Sequence, residues 1–231
     1  MHIGFAPVFQ NLGKNRTDLE VYQEELAMAR RAEPMGFDSV WSVEHHFTDY
    51  TMVPDVTQFL SYMAGCTERV QLGSMVIVLP WHDPVRVAEE IAMLDNLSNG
   101  RMILGIGRGL GRVEFDGFRV PMDESRERFV ESAEMIIDGL EQGFVEYQGN
   151  FVRQPKRNIR PAPFQSFKGR TFAAAVSPDS MPVMAKLGVG LLVIPQKPWV
   201  SVKEDFEVYN KVWTDTHGAS SAPPDPLCGG F

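Results

Sequence analysis

Three stretches decide the fold class: Val70-Gln71-Leu72-Gly73-Ser74-Met75-Val76-Ile77-Val78-Leu79, the pair Asp83-Pro84, and Met102-Ile103-Leu104-Gly105-Ile106. The first is apolar almost throughout, as strands covered on both faces are, rather than alternating like a strand wetted on one side. Asp83-Pro84 opens a helix, with an N-cap carboxylate followed by proline at the first helical position. Val85, Ala88, Ile91 and Leu94 then recur at helical spacing, and Asn99-Gly100 ends the segment. A second buried strand follows at Met102–Ile106. Strand, helix and strand in this order form a parallel unit.

The same rhythm runs outward in both directions. Met1–Val8 reads as a strand, and Thr17-Asp18-Leu19-Glu20 carries the capping-box pattern. Leu19, Tyr22, Leu26 and Ala29 mark the apolar face of the helix that follows, and Gly36 stops it. Asp38–Val43 is the second strand, with a helix over Pro54–Thr67. Beyond the fourth strand, Phe129, Ala133, Ile136 and Leu140 mark a helix that starts near Asp123. Gly143–Val152 then reads as a hairpin insertion after the fourth unit, and Pro155–Pro163 as a rigid connector. Strands and helices resume at Thr171–Ala175, Pro178–Leu187, Val189–Ile194 and Val200–Thr216, and Leu227–Phe231 begins a seventh strand. Six strand–helix units predict one domain over residues 1–231, with a parallel sheet either doubly wound or closed into a barrel. An eight-unit barrel takes about 250 residues, so a barrel reading leaves this one incomplete, at six to six and a half units.

The 231 residues are 44% hydrophobic and 23% charged, with a formal net charge of -8. That balance argues against nucleic acid or an anionic membrane as the main partner. Two distant cysteines, Cys66 and Cys228, suit a reduced, cytoplasmic protein, and no apolar run approaches the ~20 residues that span a bilayer.

Three motifs carry candidate chemistry. Glu44-His45-His46 follows the second strand directly, on the side where parallel barrels place their active sites. Adjacent histidines point to opposite faces, which suits a shared metal poorly. A histidine acting as acid, base or hydrogen-bond donor fits better, with Glu44 and His46 as candidates for the substrate pocket. Gly105-Ile106-Gly107-Arg108-Gly109-Leu110-Gly111 is glycine-rich but is neither a dinucleotide fingerprint nor a P-loop. Its notable member is Arg108, a fixed cation where backbone can approach a ligand. Ala175-Val176-Ser177-Pro178-Asp179-Ser180 offers two hydroxyls at a helix start, a ready anion site. With Arg108 from a neighbouring strand end it suggests a phosphate pocket.

Glu44-His45-His46-Phe47-Thr48, Val78-Leu79-Pro80, His82 to Glu89, Leu94 to Arg101 and Gly105 to Leu110, in this order, resemble bacterial luciferase and its relatives. The resemblance implies a (β/α)8 TIM-type barrel that binds reduced FMN supplied by a separate flavin reductase. Oxygen would add at the flavin C4a position, giving a peroxide that oxidises an aldehyde or another small apolar molecule. It places the catalytic histidine on His45, the phosphate arginine on Arg108, the phosphate hydroxyls on Ser177 and Ser180, and a non-proline cis peptide beneath the flavin at Met75-Val76. Val176 stands where luciferase has a glutamate, and Gly107 where it has a reactive cysteine beside the flavin. A homodimer through the second and third helices is implied too, with Ala64, Gly65, Ala88 and Ala92 allowing close packing. Two alternatives share the fold: hydride transfer with the deazaflavin F420, and a non-catalytic flavin-binding or partner subunit.

Overall fold

The computed structural model describes residues 1–175, 177–194 and 196–229. In chain order the elements are β1 (Gly4–Phe5), α1 (Asp18–Ala32), β2 (Ser39–Ser42), α2 (Val56–Cys66), β3 (Gln71–Ser74), β4 (Ile77–Val78), α3 (Pro84–Leu97), β5 (Met102–Gly107), α4 (Arg112–Phe118), α5 (Ser125–Gln142), β6 (Phe144–Gln148), β7 (Arg153–Asn158), β8 (Thr171–Ala174), α6 (Met181–Leu187), β9 (Gly190–Val193), α7 (Trp199–His217) and β10 (Leu227–Cys228). The strands pair in the order β1-β2-β3-β5-β8-β9-β10, every pair parallel, and β4 continues the third strand beside β5. The result is an arc of a (β/α) barrel with helices outside. Among the described residues β1 pairs only with β2, and β10 only with β9.

Local chemistry explains the helix starts. Thr17 and Glu20 form the reciprocal capping box, and Asp83 accepts from the Val85 and Arg86 amides. Inside the arc, Trp41, Ile103, Phe172 and Leu192 fill the barrel axis, with Ala6, Met75, Val76 and Leu227 packed on them. The larger core lies between sheet and helices and includes Val40, Leu72, Leu104, Leu60, Ile91 and Ile136.

The structure departs from the sequence reading at several places. The first strand shrinks to Gly4–Phe5. Of the apolar stripe expected on α1, Tyr22, Leu26 and Ala29 pack on the core, with Val21 and Ala32 beside them, and only Leu19, 66% exposed, faces outward. The third strand is broken: Leu72 faces Met102 but Ile77 faces Ile106, five steps against four, so one extra residue bulges there. Ser74 bridges the gap, its hydroxyl donating to the Gly105 carbonyl and accepting from the Gly105 amide, both at 2.8 Å. A Cβ at position 105 would lie 1.9 Å from the Ser74 carbonyl oxygen, so glycine is required there. The peptide Met75–Val76 in this bulge is cis.

Part of the expected connector is strand. Arg153–Asn158 pairs antiparallel with Phe144–Gln148, and Pro155 is tolerated because this two-stranded ribbon leaves the outer edge of β7 unpaired. Helix α4 has no counterpart in the expected elements. Finally, Pro178–Ser180 is a 3-10 turn, and the α-helix begins only at Met181.

Candidate active site

Four neighbouring strands, β2, β3, β5 and β8, aim their C-terminal ends at one mouth. They deliver Glu44 to His46, Met75 and Val76, Gly107 and Arg108, and Ser177 to Ser180. Parallel pairing is what gathers residues so distant in sequence, because every strand ends on the same side. Val176 lies outside the described residues.

Just beyond β2 the residues Glu44, His45 and His46 part company. The glutamate, Glu44, is buried; its Oε1 takes hydrogen bonds from His46 Nε2 at 2.9 Å and His82 Nε2 at 2.7 Å, and its Oε2 accepts from the Val78 amide at 2.8 Å. It is placed as a hub tying β2 to β4 and the start of α3, rather than as a wall open to a ligand. His46, thus bonded, also packs edge-on against Trp81 and Phe118. Burial alone would raise the Glu44 carboxyl, but the bonds from His46 and His82 hold it below the usual carboxylate range. His45 turns the other way. Its Nδ1 lies 2.9 Å from Glu114 Oε1, with the Tyr50 ring edge-on at 5.1 Å between centroids.

The floor of the mouth is Met75 and Val76, half-exposed above the Trp41 layer. Gly107 lies against them, and a Cβ there would come within 2.3 Å of Val76 Cγ2. Residue 107 is glycine because the bulged third strand takes its space.

The phosphate-type residues also converge. Arg108 Nη1 lies 3.3 Å from Ser125 Oγ, and Arg126 Nη1 donates to the Asp179 carbonyl at 3.3 Å. Partial burial and then the nearby Arg126 charge push the Arg108 guanidinium below its usual range. Among the described residues neither arginine has a carboxylate partner. Ser177 does not cap the helix; its hydroxyl lies 2.9 Å from that of Ser180. Cations without carboxylate partners and hydroxyls at neighbouring strand ends are groups that can hold a compact anion.

Sequence reasoning missed Glu114, Arg126 and His82. A helical repeat of Phe115 and Phe118 after Gly111 signalled the short helix that carries Glu114. Arg126 had no local signal, sitting in the charged run Asp123 to Arg128. Among the described residues no group of three or more His, Cys, Asp or Glu side chains is placed to hold a metal ion, and no helix is long and apolar enough to cross a membrane.

Comparison with known proteins gives a consistent result. The family model described as luciferase-like monooxygenase matches residues 1–231. The alkanal monooxygenase alpha chain of Photorhabdus luminescens is 29% identical over 197 residues, covering 84% of this chain and 54% of that one. The oxygenase component of the flavin-dependent trigonelline monooxygenase of Acinetobacter baylyi is 30% identical over 188 residues, 80% of this chain and 52% of that one. The crystal structure of monooxygenase RslO1 from Streptomyces bottropensis superposes with a TM-score of 0.90 at 29% identity, covering all of this chain and 70% of the other. The chain thus spans about half the length of the curated relatives it matches.

Proposed function

This chain belongs to the luciferase-like monooxygenase family, and from that premise we propose that it carries the flavin site of an FMN-dependent oxygenase acting on a small apolar or aldehyde-like molecule. The observation that carries the reading is the pair Arg108 and Arg126, without carboxylate partners: Arg108 lies at the Ser125 hydroxyl, and Arg126 on the Asp179 carbonyl between the paired hydroxyls of Ser177 and Ser180. The two arginines and the hydroxyls of Ser177 and Ser180 suit the terminal phosphate of FMN. Met75 and Val76 would support the ring system from the barrel side, with Gly107 packed against Val76. Reduced FMN, when bound, supplies the electrons that activate dioxygen. The role of His45 is to hold or move a proton at Nε2, the ring nitrogen not engaged by Glu114. The relative named as an oxygenase component supports a separate reductase as the source of reduced flavin.

Flavin titration tests this. A charge-assisted contact to such an anion is worth roughly 1.5–3 kcal/mol. Arg108→Ala should therefore weaken FMN by about ten- to a hundred-fold and leave riboflavin nearly unchanged. Equal losses for both flavins would sink the phosphate assignment. Preference for F420, with hydride transfer and no oxygen consumption, would replace the oxygenase by an F420-dependent hydride-transfer oxidoreductase.

A further inference from the structure

Resting on that reading, we propose that Glu114 is the positioning residue for His45, fixing the imidazole with its proton on Nδ1 and its Nε2 lone pair turned to the mouth. One carboxylate oxygen, Oε1, makes two bonds: to His45 Nδ1 at 2.9 Å and from the His46 amide at 3.0 Å. It therefore grips the side chain of one residue and the backbone of the next. An ionised carboxylate only accepts, so Nδ1 must donate, and a neutral imidazole then has its bare nitrogen at Nε2. Glu114 is 3% exposed, so water does not compete for that oxygen. The edge of Tyr50 limits the ring's swing from another side.

The chain is built for this approach. A Cβ at Gly111 would lie 2.1 Å from Glu114 Oε2, so only glycine lets the carboxylate fold back over the start of α4. The same loop carries Arg108 six residues earlier, so one segment holds both an arginine suited to an anion and the histidine's partner. A glutamate that merely anchored α4 would not need to engage the one ring nitrogen that sets the tautomer of His45.

The test is the tautomer of His45 by 15N NMR of the imidazole, assigned with His45→Gln, alongside turnover with chemically reduced FMN. Wild type should show Nδ1–H. Glu114→Ala should shift the ring toward the Nε2–H form and lower kcat by about 10²-fold, with FMN affinity within two-fold. Glu114→Gln, which keeps an acceptor oxygen, should fold if the alanine variant does not, and should restore part of the Nδ1–H population. A wild-type Nε2–H tautomer overturns the proposal. So does a folded Glu114→Ala protein with wild-type kcat. If wild type never turns over reduced FMN, yet its Nδ1–H tautomer is lost in Glu114→Ala, the oxygenase reading fails while the positioning of His45 by Glu114 stands.

Discussion

His82 shows how one buried contact reaches the pH dependence of the whole protein. Burial works against its charge, but the hydrogen bond and charge of Glu44 outweigh that, with Glu90 and Asp55 adding to them, and its pKa is raised. Glu44 has the opposite shift, downward. A raised histidine adds stability in full below its unfolded value, about 6.5, and loses it as pH rises through the folded value. A lowered glutamate adds stability above about 4.5 and loses it as pH falls through its folded value. Melting temperature should therefore be highest between those values and fall on both sides. His82→Gln should flatten the alkaline fall specifically. If the alkaline limb is the same in that variant, other groups set it and the Glu44–His82 pair is not the cause.

Between elements, a buried electrostatic joint lies at the other end of the barrel. Asp95 on α3 is fully buried, and Arg170, just before β8, meets its Oδ1 at 2.9 Å. The same guanidinium donates to the carbonyls of Met102 at 2.8 Å and Gln165 at 2.9 Å. One cation thereby ties α3, β5 and β8 together at the base of the strands that carry Arg108 and Ser177. Removing one member of a buried pair strands the other charge and costs about 3–5 kcal/mol. Arg170→Ala should lower unfolding free energy by that order in chemical denaturation. A loss below 1 kcal/mol would mean that solvent reaches Asp95 and the joint is a surface pair.

At the scale of the molecule, the α2–α3 face is the candidate dimer surface. Of the small residues expected there, Ala64, Ala88 and Ala92 are buried in the chain's own core, and Gly65 is exposed. The large apolar residues that face outward are Tyr62, Met93 and Leu97, the last 55% exposed, among polar neighbours such as Gln58, Arg86 and Glu89. An apolar set on two adjacent helices suits self-association, so a dimer is expected, with these large side chains and Gly65 in contact rather than the alanines. Met93→Lys combined with Leu97→Lys should then sediment as a monomer at micromolar concentration. Wild type that is itself a monomer there rules this face out as a stable interface.

By itself the sequence determined what is set within a few residues. The capping box at Thr17, the Asp83-Pro84 helix start, the buried runs of β5 and β9 and the turn of the β6–β7 hairpin were legible because backbone geometry and local hydrogen bonds favour them wherever they occur. So was the order of strand–helix units, and with it a parallel sheet. It also placed His45, Arg108 and Ser177 at strand ends, since a parallel sheet puts all those ends on one side. Only the tertiary structure decided which partner each received. Glu114 meets His45 across 69 residues, and Arg126 meets the Asp179 carbonyl across 53. The break in the third strand is likewise a matter of its neighbour: Ser74 bonds to Gly105, and the register against β5 absorbs one extra residue. Such contacts depend on how strands and helices pack, and side-chain charge or apolarity along one segment carries no record of what will stand opposite it.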